Sequence, residues 1–262
     1  MRIIDFHTHV FPDDVARKAI PALEEEAGVE TTYDGTLSGL LDQMDRVSIA
    51  VSVTAPVATK PTQVASINRW AASTASERIV PFGAVHPDSE DVVADVESVA
   101  ALGMRGIKLH PEYQQFKPDD PRLAPLLEAA GELGLILLFH AGLDIGIPTD
   151  HGRPEAFARM LDAYPDVTVV LAHMGGWNLW DEVRQHLLGR PVYFDTSYSR
   201  GHMSDEDFVE LVEAHGADRV LFGTDGPWAD ARDEVDWLES LPLSNEQKRA
   251  ILHDNAAGLL GL

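Results

Sequence analysis

Cysteine is absent from this 262-residue chain, which excludes disulfides, thiolate metal ligands and a cysteine nucleophile. Any metal must therefore sit on His, Asp, Glu or a modified Lys. Positive charge is scarce: 20 Lys plus Arg stand against 43 Asp plus Glu, a formal charge of -23. Such a surface repels polyanions, so neither nucleic acid nor an anionic membrane is an expected partner. Long apolar runs are missing, as is a basic segment followed by an apolar one at the start, so a cytoplasmic protein without a membrane span or secretory leader is expected. Low-complexity tracts and composition shifts are also lacking. With 45% hydrophobic residues the chain can bury a large core, and one domain over 1–262 is the expectation.

What is present is a repeated theme. Short β-branched or aliphatic runs at 3–9, 48–55, 79–86, 104–110, 135–140, 167–173, 192–196 and 220–225 alternate with helical stretches at 37–46, 64–75, 92–102, 122–133, 154–163, 205–215 and 232–241. A last helical segment at 245–260 closes the series. Alternation of this kind predicts parallel βα units, and eight strands is the count of a closed (β/α)8 TIM barrel, an α/β fold.

The strand ends carry the chemistry. His7-Thr8-His9 closes the first run, and residues i and i+2 of a strand share a side, so two imidazoles can serve one metal ion while Thr8 faces away. The fifth run ends in His140, the sixth in His173 before Gly175-Gly176, and the eighth in Gly223-Thr224-Asp225. In such barrels the site lies at the C-terminal face of the strands, so these ends converge on one mouth. Gathering several imidazoles and a carboxylate there without a cation or partners would cost several kcal/mol in desolvation, on the order of that for any unpaired buried polar group.

Taken together, Asp5-Phe6-His7-Thr8-His9, His140, His173 with its glycines and Gly223-Thr224-Asp225 resemble the amidohydrolase superfamily, in particular the branch that includes aminocarboxymuconate semialdehyde decarboxylase. The resemblance covers essentially the whole chain. It implies a divalent metal, zinc by family habit, held by His7, His9, His140 and Asp225, with His173 binding a second ion or acting as an acid/base and polarising group. Lys108, near the end of the fourth run, resembles the lysine that two-metal members carboxylate to bridge their ions. One or two ions are thus implied, with one favoured because this branch is mononuclear. Lys108 also reads as a plain ammonium for a substrate carboxylate, as a Schiff-base lysine, or as a lysine paired with nearby acids.

Around the mouth, His110 shares the strand face of Lys108 and is expected near the substrate, as are Tyr113 and Trp228. Phe11, Trp177 and Pro227 are candidates to wall an organic substrate, and Arg153, Arg200 and His151 to meet a carboxylate, although ordinary loop packing explains each. His86 reads as a hydrogen-bonded core histidine. His186, His202, His215 and His253 read as surface residues, and Glu24-Glu25-Glu26 as a solvated face.

The resulting expectation is a metal-dependent hydrolase of a small amide, ester or lactone, with Asp225 as ligand and base and His173 as charge stabiliser. Non-oxidative decarboxylation of a small carboxylic acid ranks second on the same residues. A Schiff-base aldolase using Lys108 ranks third, since it leaves the converging His and Asp ends unexplained. The outer helices leave room for a homodimer, though no seam is legible.

Overall fold

The computed structural model describes residues 2–262, and the predicted alternation of strand and helix is what it contains. Strands β1 (Ile3–Thr8), β2 (Ile49–Thr54) and β3 (Ile79–Pro81) form one parallel set. A second runs in order through β4 (Gly83–Ala84), β5 (Gly106–Leu109), β6 (Ile136–Phe139), β7 (Val169–Leu171), β8 (Tyr193–Asp195) and β9 (Val220–Leu221). The break between β3 and β4 falls beside Pro81, which has no N–H for a ladder, and the two are one strand position interrupted at Phe82. Phe82 N–H donates to the Thr54 carbonyl at 2.9 Å across this seam. At the opposite seam Phe6 N–H donates to the Phe222 carbonyl and Asp225 N–H to that of His7, each at 2.8 Å. Eight strand positions thus follow one another around a (β/α)8 barrel.

Helices α1 (Asp13–Ala27), α2 (Leu37–Val47), α3 (Val64–Ser73), α4 (Val92–Ala101), α5 (Pro111–Gln114), α6 (Ala124–Glu132), α7 (Pro154–Ala163), α8 (Trp180–His186), α9 (Asp205–His215) and α10 (Ala231–Ser240) connect the strands. Caps set several boundaries. The side chains of Thr36, Asp91, Ser204 and Asp230 accept from the first-turn N–H groups of α2, α4, α9 and α10, satisfying donors that a helix start leaves open. One buried apolar cluster joins helices to strands; another is drawn mostly from strands, including Ile4, Phe6, Val53, Leu138 and Val170. None of the described helices is long and apolar enough to cross a membrane.

Three expectations need correction. The last segment is not one helix: α11 (Asn245–Arg249) and α12 (Asn255–Leu260) flank a π turn at Ala250–Asp254. The irregular turn frees the Ile251 carbonyl, which accepts Phe222 N–H at 2.9 Å. That contact also explains why the eighth strand pairs only over β9: beyond it the backbone bonds to the π turn and to β1 instead. Finally, α1, α5 and α8 lie outside the helical stretches named from the sequence.

Candidate active site

The polar strand ends do meet. His7 Nε2, His9 Nε2 and Asp225 Oδ1 form a triangle with sides of 3.2, 3.0 and 3.3 Å, while Thr8 turns away and donates to the Val53 carbonyl. Tetrahedral zinc with bonds of about 2.0–2.1 Å spaces its ligands about 3.3 Å apart, so the triangle fits such an ion. His7 is oriented for it. Its Nδ1 lies 2.9 Å from Asp195 Oδ2 and 3.0 Å from Ser197 Oγ, so Nδ1 carries the hydrogen and Nε2 keeps its lone pair toward the triangle. Burial, with the Lys108 ammonium nearby, lowers the His7 pKa and keeps the ring neutral.

Asp195 was not anticipated as a site residue. Besides His7 it accepts the backbone N–H groups of His173 and Ser197, each at 3.0 Å, and the Ser197 hydroxyl. Burial would raise its carboxyl, but His7 and these donors overrule that and hold it well below the ordinary range. The same contest is won by the imidazoles at Asp225: burial raises it, His7, His9 and His173 pull it far down. Asp5 behaves differently. Burial lifts it to about 7 even though it accepts from Thr224.

Two further histidines face each other. His140 Nε2 lies 3.0 Å from the Leu143 carbonyl and His173 Nδ1 lies 3.0 Å from that of Ser197. Each of these nitrogens must donate, which leaves lone pairs on His140 Nδ1 and His173 Nε2, only 3.1 Å apart. Facing lone pairs repel unless a proton or another cation lies between them. Burial lowers both pKa values, His140 well below the ordinary range, so a bound cation suits the pair better than a proton. His140 therefore closes on His173 rather than on the triangle, where the resemblance placed it.

Lys108 stands against the triangle. It is 1% exposed, its Nζ is 2.8 Å from His7 Nε2, and burial lowers its pKa to about 8 against the pull of Asp225 and Asp195. His173 and Asp225 both adopt left-handed backbone, with φ of 59° and 64°, a strained choice for these residues that recurs at functional sites.

His110 is 6% exposed and stacks on His140 at 4.1 Å. Its Nε2 is 3.4 Å from Asp144 Oδ2. These three residues satisfy the spacing for a second ion, but His110 Nδ1 faces the Tyr113 N–H at 3.4 Å and its Nε2 faces the Asp144 carboxylate. The hydrogen must then sit on Nε2, leaving no lone pair there for a metal.

These groups, apart from Asp5, Asp195 and Ser197, line one cavity of about 900 Å³, walled by Phe11, Tyr113, Trp177, Tyr198, Trp228 and residues of α1. Tyr113, Trp177 and Trp228 stand where the sequence placed them; Tyr198, Asp144 and α1 had gone unnoticed. Arg153, Arg200 and His151 are not available to a substrate carboxylate, since they pair with Asp150 and Glu182, with Asp233 and Glu234, and with Glu112. His86 is the buried histidine expected, accepting Asp88 N–H at 3.1 Å. His215 is a correction: it is buried, stacks on Phe194 at 3.9 Å and bonds the Val192 carbonyl. Glu25 and Glu26 are exposed.

The amidohydrolase family matches residues 4–262. The chain belongs to that family. Among curated proteins it is 26% identical over 120 residues to a gamma-resorcylate decarboxylase of Polaromonas, a segment that is 39% of this chain and 37% of that relative. An uncharacterized TIM-barrel protein of Bordetella bronchiseptica superposes with a TM-score of 0.82 at 24% identity, over 100% of this chain and 99% of that one. A dihydroxybenzoic acid decarboxylase of Polaromonas, holding manganese and the inhibitor 2-nitroresorcinol, superposes with a TM-score of 0.75 at 19% identity, over 100% and 97%. At these identities the superpositions establish the barrel.

Proposed function

We propose that the chain is a metal-dependent non-oxidative decarboxylase of a small, planar carboxylic acid. The observation that carries it is the convergence of oriented lone pairs and one ammonium at the end of an aromatic-walled cavity, in a chain whose curated relative is a gamma-resorcylate decarboxylase. The sequence alone ranked hydrolysis first; the relatives reverse that order.

His7, His9 and Asp225 are the residues that would hold a divalent cation, with His140 and His173 offering a second position and Lys108 against His7. Zinc suits the N and O ligands, and the manganese in the Polaromonas neighbour makes that ion the alternative. When bound, the cation supplies charge neutralisation for the substrate carboxylate and polarises oxygen on the substrate. Lys108 adds an ammonium to the same end. The apolar walls take the ring and exclude water, which strengthens each of these interactions.

Asp225 divides its carboxylate. Oδ1 faces the two histidines, whereas Oδ2 takes no hydrogen bond among the described residues and is the oxygen left to carry a proton. A substrate carboxylate beside Asp225 raises its proton affinity, since like charges disfavour the ionised form. Asp225 Oδ2 takes up a proton from solvent as the acid binds; the bond from substrate carbon to carboxyl carbon then breaks, its electron pair takes that proton, and CO2 leaves.

Hydrolysis is the second reading, favoured by one observation: Asp225 is held ionised in this network, which suits a general base. The two separate in one screen of metal-loaded protein against aromatic acids, amides, esters and lactones, scored for CO2 and for hydrolysis. Decarboxylation predicts CO2 that disappears on chelation and returns with added zinc or manganese. Hydrolytic turnover with no CO2 from any acid would move the assignment to the second reading.

A further inference from the structure

The cavity wall beside His140, on which His110 stacks, is polar in a different way. His110 presents Nε2–H, because its Nδ1 faces a donor, the Tyr113 N–H at 3.4 Å, and its Nε2 faces an acceptor, the Asp144 carboxylate. Asp144 faces it with Oδ2 at 3.4 Å, too long for a strong mutual bond. Asp144 Oδ1 is already used: it accepts from Gly146 N–H at 2.8 Å and Ile147 N–H at 3.0 Å. The carboxylate is thereby fixed in rotamer with Oδ2 left over.

The loop that carries Asp144 is anchored from the His110 side. Glu112, two residues on and 2% exposed, accepts from the Thr149 hydroxyl, from His151 N–H at 2.6 Å, from His151 Nδ1 at 2.7 Å and from Gly152 N–H at 3.1 Å. Gly142 fastens the other end, where an added Cβ would stand 2.1 Å from Trp177 N. A donor and an acceptor, each with unused capacity, are thus held at a set spacing on the wall of the cavity.

We propose that His110 and Asp144 read a hydroxyl group on the substrate ring, which accepts from His110 Nε2–H and donates to Asp144 Oδ2. The assignment rests on the decarboxylase reading for the position of the substrate carboxylate, and it adds what selects among acids. A hydroxyl satisfies both groups at once. A methoxy group cannot donate and leaves Asp144 unpaired in a buried place, and a second carboxylate meets Asp144 with like charge. The pair therefore selects hydroxylated acids over methoxylated acids and over diacids.

The test is calorimetric binding of benzoate, the three monohydroxybenzoates, their methoxy counterparts and isophthalate to the metal-loaded protein, with CO2 release followed in parallel. For at least one ring position the hydroxy acid should bind about 10- to 100-fold more tightly than its methoxy counterpart, as a hydrogen bond to a charged group predicts. Asp144→Asn retains an oxygen for Gly146 and Ile147 but turns a donor toward the cavity. It should bring that ratio close to one and admit isophthalate. His110→Asn keeps a capping acceptor for Tyr113 N–H yet cannot reach the ring, and should cut hydroxy-acid binding more than it cuts benzoate binding. A ratio near one in the parent, a ratio unmoved by both variants, or no binding by any acid overturns the assignment. Hydroxyl-selective binding that follows the variants without any CO2 release would leave it standing and bring down the decarboxylase reading instead.

Discussion

His7 and His110 are buried imidazoles at the C-terminal ends of strands β1 and β5, yet their Nε2 atoms offer opposite chemistry. At His7 the neighbour of Nδ1 is the Asp195 carboxylate, an acceptor, so Nε2 keeps a lone pair. At His110 the neighbour of Nδ1 is a backbone N–H, a donor, so Nε2 carries the hydrogen. The group behind the ring decides whether a histidine can hold a cation or must donate a hydrogen bond. Proximity of His, Asp and Glu alone would have given both places to a metal.

The strongest way to break the His7 side is through Asp225. Asp225→Asn keeps the shape of the side chain and one oxygen for the triangle, so the protein should remain folded and retain much of its metal. The amide cannot carry the proton, and kcat should fall on the order of 10²- to 10⁴-fold. Metal content and kcat are measured on the same preparation. A kcat within a few-fold of the parent at saturating metal would leave Asp225 as a ligand only. His7→Ala should differ in kind, with metal lost first and activity partly restored by excess zinc.

A smaller effect tests the orientation rule itself. In Asp195→Asn the single remaining oxygen must serve the backbone N–H groups of His173 and Ser197, which turns the amide NH2 toward His7 Nδ1. The His7 tautomer then reverses, and Nε2 loses its lone pair. Metal affinity should fall about 10- to 100-fold, read by competition with a chromogenic chelator. Unchanged affinity would show that Asp195 does not set the tautomer.

What could be read from the chain follows the same division between local and distant causes. The period of two and the polar strand ends made His7, His9, His140, His173, Lys108 and Asp225 legible, because each is the last polar word of an apolar run. Asp195 obeys the same rule at the end of β8, Tyr193–Asp195, and could have been found by it. Asp144 and Glu112 could not. The partners that matter are at least 34 residues away and lie in loops whose approach only the closed barrel sets, as Asp144 on His110 and Glu112 on His151 show. Helix α1, which the alternation named from the sequence did not include, continues through Pro21, a residue that ordinarily breaks a helix interior. His215 sits at a helix end that reads as solvated, and only the fold places Phe194 against it.

The smallest expected effect comes from a carboxylate that lacks what Asp195 has. Glu234 is 2% exposed; its Oε1 accepts from Arg200 at 3.1 Å while Oε2 has no partner. Burial, only partly offset by Arg200, raises its pKa from 4.5 to about 7. A carboxyl raised in the folded state binds more protons there than in the unfolded chain between these two values. Its contribution to stability is therefore fully present below about pH 4.5 and is lost as pH rises through about 7. Glu234→Gln removes the titration while keeping the shape. Relative to the parent, the variant should gain about 1–2 kcal/mol between pH 4.5 and pH 8, an allowance for solvent reaching the Arg200 pair being made against the full shift. Urea unfolding of both proteins at the two pH values measures the difference. A gap that stays constant, or that widens in favour of the parent as pH rises, would mean that Glu234 is ionised throughout and that Arg200 alone satisfies it, as four donors satisfy Asp195.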